Sequence, residues 1–247
     1  MAFNVVEVPE YVEAVKANLK KAPPEVRHVI DDKLAGLNCY FWGGAVRQPV
    51  YHVMYKGNGW KTNDWDIIVD DSALSEPLDL DAMFAEELRD PKKCSHNRYD
   101  MIKWKPKRGV EIDVSRFSNA NLIRKGIKTK SSLAVVLAGC DFNTGSIAYG
   151  LRDEKIYDDG AIEGLRAKVI DFNYGDDEDF VLMARLVMHA HDMDFTIGTG
   201  GLTFILNRYT DETARAYNKQ IREYLRRKGK SRRGKEVVDR LCEIAQC

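Results

Sequence analysis

A glycine pair followed by two closely spaced aspartates constrains this chain most. Phe41-Trp42-Gly43-Gly44-Ala45-Val46-Arg47 reads as a strand that ends at a Gly-Gly turn and opens a helix. Asn63-Asp64-Trp65-Asp66-Ile67-Ile68-Val69 reads as the next strand. Such a turn lets backbone N–H groups close on phosphate oxygens, with the helix N-terminus adding positive partial charge. Asp64 and Asp66, at i and i+2 of a strand, point to one face. Carboxylates paired in this way hold divalent cations, and a cation held between carboxylates and a polyphosphate suits nucleotidyl or phosphoryl transfer.

The spacing alone does not single out this pair. Asp-x-Asp occurs at Asp64/Asp66, Asp79/Asp81, Asp177/Asp179 and Asp192/Asp194, in a chain with 23 aspartates. Only the first lies on an apolar strand pattern downstream of a Gly-Gly turn. A third carboxylate comes from Val110-Glu111-Ile112-Asp113-Val114-Ser115, which places Val110, Ile112 and Val114 on one face and Glu111, Asp113 and Ser115 on the other. A neighbouring antiparallel strand would bring Asp113 beside Asp64 and Asp66.

These residues resemble the head domain shared by bacterial-type CCA-adding enzymes and poly(A) polymerases, a branch of the polymerase-β-like nucleotidyltransferases. The similarity runs in order from about residue 37 to 197: Gly-Gly-x-Val-Arg at Gly43–Arg47, Asp-x-Asp at Asp64/Asp66, the strand with Asp113, then Cys140-Asp141-Phe142-Asn143-Thr144-Gly145-Ser146-Ile147-Ala148-Tyr149. Tyr157-Asp158-Asp159-Gly160, Gly164–Ile170 and Glu178-Asp179 with Arg185 follow. The resemblance implies Asp64, Asp66 and Asp113 as catalytic, metal-holding carboxylates for Mg²⁺ or Mn²⁺. It implies Gly43, Gly44, Arg47, Asp141, Asp179 and Arg185 as nucleotide-binding residues. Several positions depart from the family pattern. Gln48 stands where an aspartate follows the arginine, Gly139-Cys140 replace an arginine pair, and Gly145 replaces an asparagine. In the last helix Leu182 and Met188 replace arginines. Leu182 cannot donate a hydrogen bond to a base, so base reading of the family type lacks that donor.

The pattern predicts an α/β (α+β) nucleotidyltransferase head with a small mixed or antiparallel sheet over residues 1–172, followed by an all-α, neck-like part over 173–247. Helices are expected over 9–21, 24–35 and 78–89, strands over 38–42, 64–70, 98–105 and 109–116, and a polar, Gly-containing insertion over 48–62. Zero net charge gives no bulk attraction to nucleic acid. The basic residues instead crowd the C-terminal end: Arg222, Arg226, Arg227, Lys228, Lys230, Arg232 and Arg233, near Tyr217 and Tyr224. They form a candidate RNA-backbone surface. Five cysteines without close spacing disfavour a zinc ribbon, and an odd count with no signal peptide fits reduced thiols in a cytoplasmic protein. No apolar stretch reaches transmembrane length, so no membrane partner is expected. His189 and His191, two apart on a helix, do not share a face and make a poor metal pair. The expected activity is transfer of a nucleoside monophosphate from a nucleoside triphosphate to an RNA 3′ end, with tRNA as the expected acceptor. The alternatives are an RNA-binding module with the fold but little turnover, or a nucleotidyltransferase acting on a small molecule or protein.

Overall fold

Short strands from across the chain build one large sheet and one small one. A computed structural model of the chain describes residues 3–56, 64–76, 78–97, 99–175 and 177–246. The chain forms two compact units, the first comprising residues 1–140 and 145–162, the second 141–144 and 163–247.

The first unit contains strands β1 (Asn4–Val6), β2 (Cys39–Trp42), β3 (Asp64–Val69), β4 (Cys94–His96), β5 (Ile102–Lys107), β6 (Val110–Arg116), β7 (Ile147–Gly150) and β8 (Ile156–Asp158). Its helices are α1 (Pro9–Lys20), α2 (Pro24–His28, continued by a π turn Val29–Lys33), α3 (Gly44–Tyr55), α4 (Leu80–Met83), α5 (Asn121–Arg124) and α6 (Leu133–Ala138). The eight strands form one sheet in the order β1-β8-β7-β2-β3-β6-β5-β4. The fold class is the expected mixed α/β, with a larger sheet than the sequence suggested.

One pairing differs from expectation. β3 and β6 run parallel, whereas the other pairs in this sheet are antiparallel. The cause lies in the connection. Arg108 and Gly109, the latter at φ 80°, turn β5 tightly into β6 as an antiparallel hairpin. The long excursion from β3 through α4 and β4 supplies the crossover that a parallel neighbour needs. Trp65 and Ile67 stand opposite Ile112 and Val114 in this pairing, and all four are buried. Their removal from water stabilises the sheet by about 1.5–3 kcal/mol per large side chain.

The insertion expected over 48–62 is helical as far as Tyr55; its residues 57–62 lie outside the described residues. Pro49 inside α3 lacks the N–H that would serve the Ala45 carbonyl. Asn18 Nδ2 donates to that carbonyl at 3.1 Å and restores the bond from α1. The expected 78–89 helix is only α4 and a 3₁₀ turn at Glu87–Arg89.

The chain leaves the first unit within α7 (Ala161–Ala167). The second unit holds β9 (Val169–Ile170), α8 (Asp179–Met193), β10 (Thr196–Ile197), α9 (Thr199–Leu206), α10 (Asp211–Arg227) and α11 (Arg233–Ala245). It is not wholly helical, because β9 and β10 pair in parallel. The core of this unit includes Met183, Leu186 and Val187 of α8, Ile221 and Leu225 of α10, and Val237, Val238 and Leu241 of α11, at helical spacing. Thr210 and Thr213 close the N-terminus of α10 in a reciprocal capping box.

Candidate active site

Strand alternation on three adjacent strands builds the site of the first unit. Asp64 and Asp66 lie on one face of β3, Glu111 and Asp113 on one face of β6, and Lys103 on β5. The register sets Asp64 opposite Glu111 and Asp66 opposite Asp113, and Lys103 opposite Asp113 on its other side. Carboxylate oxygens of Asp64, Glu111 and Asp113 all lie within 4.8 Å of one another. Asp66 sits one rung deeper, against the backbone of Gly43, where a Cβ would meet its Oδ2 at 3.4 Å. The structure thus brings Asp64, Asp66 and Asp113 together and adds Glu111, which the sequence placed only on the polar face of its strand. Lys103 Nζ donates to Asp113 at 3.1 and 3.3 Å and also contacts Glu111, while Lys105 reaches Glu111 at 2.6 Å.

Crowding of like charges sets the titration of this cluster. Burial, then the charges of Glu111 and Asp113, push the Asp64 carboxyl up to about 6, although the residue also reaches solvent. Asp66 is pushed well above the usual carboxylate range by burial and by Asp64 and Asp113, with Lys103 and Arg47 opposing. Burial also raises Asp113 against the pull of Lys103. At Glu111 the bonds from Lys103 and Lys105 outweigh burial and lower the value. Such mutually repelling hard oxygen donors fit a divalent cation of the Mg²⁺ or Mn²⁺ type.

The folded carboxyl of Asp64 binds its proton more tightly than the unfolded one, so metal-free stability from this group falls as pH rises from about 4 to about 6. Asp64→Asn removes that component. In chelator, the stability of the parent relative to Asp64→Asn should decline across this interval, as read by urea unfolding at several pH values. A difference that stays flat with pH would contradict the charge crowding.

The Gly-Gly turn lies at the other side of Asp66. Gly43 adopts φ 60° and ψ −127°, a conformation open only to glycine, and caps α3. Its N–H donates to the Ile147 carbonyl at 3.1 Å and is therefore spent within the sheet. The Val46 N–H donates to the Gly43 carbonyl at 3.3 Å, so the N–H groups of Gly44 and Ala45 begin the helix. Arg47, on α3, lies close enough to act on the Asp66 charge. The other three Asp-x-Asp pairs lie outside this cluster. Asp79 caps α4, Asp81 pairs with His96, Asp177 with Arg185, Asp179 with Arg208 and Asp192 with Arg233.

In the second unit, Arg185 is held between Asp141 and Asp177, 3.0 Å from the latter, and lies over the Phe142 ring. Asp179 pairs with Arg208 at 3.2 Å. The structure therefore joins Asp141 to Arg185 and gives Asp179 a separate partner. Leu182 is 2% exposed. An arginine there would bury a charge, so Leu182→Arg should destabilise the protein by about 3 kcal/mol or more rather than restore base reading. Urea unfolding checks this, and a variant as stable as the parent would contradict it.

The C-terminal cations divide into two groups. Arg222, Arg226, Arg227, Lys228, Lys230 and Arg232 are exposed, at the end of α10 and in the turn that follows. Arg226 and Arg227 lean on Glu223. Arg233 is instead tied to Asp192 at 2.7 Å and to His191 at 3.0 Å, which makes it a structural residue between α8 and α11. Among the described residues, no helix is long and apolar enough to cross a membrane.

No family model matches the chain, and no curated protein does. Solved structures match its fold. The apo form of a CCA-adding enzyme aligns with 99% of this chain and 55% of its own, at 17% identity and a TM-score of 0.56. A CCA-adding enzyme in complex with ATP aligns over 92% and 51%, at 18% identity and 0.54. The Thermotoga maritima CCA-adding enzyme complexed with tRNA-CCA aligns over 96% and 51%, at 20% identity and 0.50. The chain thus spans about half the length of the solved structures it matches, and the likeness is one of fold.

Proposed function

We propose that this chain is a nucleotidyltransferase that transfers a nucleoside monophosphate from a nucleoside triphosphate to an RNA 3′ end, with tRNA as the acceptor class. The observation that carries this reading is the two-rung carboxylate cluster beside a glycine turn that opens a helix, on a fold matching CCA-adding enzymes. Within it, residues 1–172 act as the catalytic head and 173–247 as a helical neck, in a cytoplasmic protein.

Asp64, Glu111 and Asp113, with Asp66 behind them, would hold Mg²⁺ or Mn²⁺. An ion held there would neutralise triphosphate charge and lower the pKa of the attacking hydroxyl. First-turn N–H groups of α3 add positive potential for phosphate oxygens. Asp113, on the second rung between Asp66 and Lys103, would accept the hydroxyl proton. The acceptor oxygen bonds to the α-phosphorus, the bond to the β-bridging oxygen breaks, and pyrophosphate leaves. In this reading Asp141, Asp179 and Arg185 serve the nucleotide by exchanging their present ion pairs for contacts to it. The exposed cations Arg222, Arg226, Arg227, Lys228, Lys230 and Arg232 contact the RNA backbone.

Leu182 favours a second reading, a module that retains the fold with little turnover, because it removes a base-reading donor. Incubation with each labelled nucleoside triphosphate, Mg²⁺ or Mn²⁺, and a panel of acceptors separates the two. Labelling of tRNA lacking its 3′ end is the expected result. RNA binding without incorporation would establish the second reading, and labelling only of a protein or small molecule would move the acceptor class.

A further inference from the structure

The cations embedded in the carboxylate cluster carry an inference beyond the reaction itself. Lys103 is not a peripheral charge. It lies on the strand adjoining β6, directly opposite Asp113, and its side chain is three-quarters buried. One ammonium group contacts both Asp113 and Glu111, and these two residues supply oxygens of the set that lies within 4.8 Å. Lys105, two residues on, holds the other Glu111 oxygen at 2.6 Å. The sequence Ile102-Lys103-Trp104-Lys105 alternates apolar and basic side chains, so the strand presents both lysines to the acids while Ile102 and Trp104 face the other way. An ammonium and a divalent cation compete for the same oxygens, because each needs lone pairs that the other would occupy.

We propose that Lys103 is an internal counter-cation of the cluster, bonded to Asp113 and Glu111 without metal and surrendering those oxygens when the metal enters. Lys103 is thereby a positioning residue. It keeps the acids from repelling one another apart in the metal-free protein, and it weakens metal binding until a ligand brings enough negative charge to favour exchange. A metal arriving with a triphosphate meets that condition better than the bare ion. The displaced ammonium group then has anionic phosphate within its neighbourhood in place of the carboxylates. The inference rests on the nucleotidyl-transfer reading of the cluster and assigns the balance of charge that loads it.

The test is Mn²⁺ binding to the full chain, followed by electron paramagnetic resonance of the free ion, for the parent, Lys103→Met, Lys103→Arg and Asp113→Asn. Lys103→Met should bind Mn²⁺ at least about tenfold more tightly than the parent, since a competing charge at contact distance has been removed. Lys103→Arg, which keeps the charge, should stay near the parent. In chelator, Lys103→Met should unfold at lower urea than the parent and recover with saturating Mn²⁺, a metal-dependent rescue that loss of a merely structural contact would not produce. Lys103→Gln, which keeps a polar head of similar reach, provides the same comparison if the methionine variant fails to fold. Equal or weaker Mn²⁺ affinity in Lys103→Met and Lys103→Gln, with binding lost in Asp113→Asn, would overturn the inference and leave the metal site standing. Unchanged binding in Asp113→Asn would overturn the site and the inference together.

Discussion

Replacing Asp66 or Asp113 with asparagine should lower kcat for nucleotide transfer about 10³-fold or more while leaving the fold intact. The magnitude follows from the several kcal/mol that a correctly held ion contributes to stabilising the transition state. Both residues belong to the second rung, facing each other across β3 and β6. Each is a carboxylate whose charge is disfavoured in the folded protein, by burial first and then by acidic neighbours. The amide preserves volume and removes a charge, so metal-free thermal stability should hold or rise even as activity disappears. Circular dichroism and single-turnover kinetics on the same preparations give both quantities. Turnover within tenfold of the parent in both variants would show that the metal lies elsewhere.

The second large effect is expected at the C-terminal cations. Charge reversal of Arg226, Arg227 and Lys228 together should weaken RNA binding by about a hundredfold at low salt and make log affinity less steep in log salt by about 2 to 3. The present partners of Arg226 and Arg227 do not oppose this, because both side chains are exposed and share one acid, Glu223. Exposed pairs of this type contribute little, so the guanidinium groups remain available to phosphate. Nucleotide binding should be spared. Filter binding across a salt series measures both terms, and an unchanged slope would reduce the cluster to a solvated surface. Arg233 is left out of the variant because its bonds to Asp192 and His191 make it part of the fold of the second unit.

Local pattern made some of this legible in the chain and long-range pairing hid the rest. The turn at Gly43 and the strands bearing Asp64, Asp66 and Asp113 could be read because period-2 alternation and a glycine that needs positive φ are signals within a few residues. Register is not such a signal. Whether β6 runs parallel to β3, and therefore that Glu111 faces Asp64, depends on a crossover of some forty residues that no local rule specifies. Lys103 and Lys105 were visible as alternating residues, yet their role needs β5 to be placed beside β6. The sharp turn at Gly109 was the available clue. The continuation of α3 into the expected insertion was hidden too, because the bond that Pro49 leaves unmade is supplied by Asn18 on another helix. The burial of Leu182 was likewise a tertiary fact, and it explains why restoring an arginine there should cost stability.

The most direct test of the central claim follows the label from a nucleoside triphosphate. With tRNA lacking its 3′ end and Mg²⁺ or Mn²⁺, label at the α-phosphate should enter the RNA, while label at the γ-phosphate should appear only in pyrophosphate. Appearance of γ-label in the acceptor, or absence of α-label from every RNA in the presence of either metal, would contradict nucleotidyl transfer by this cluster.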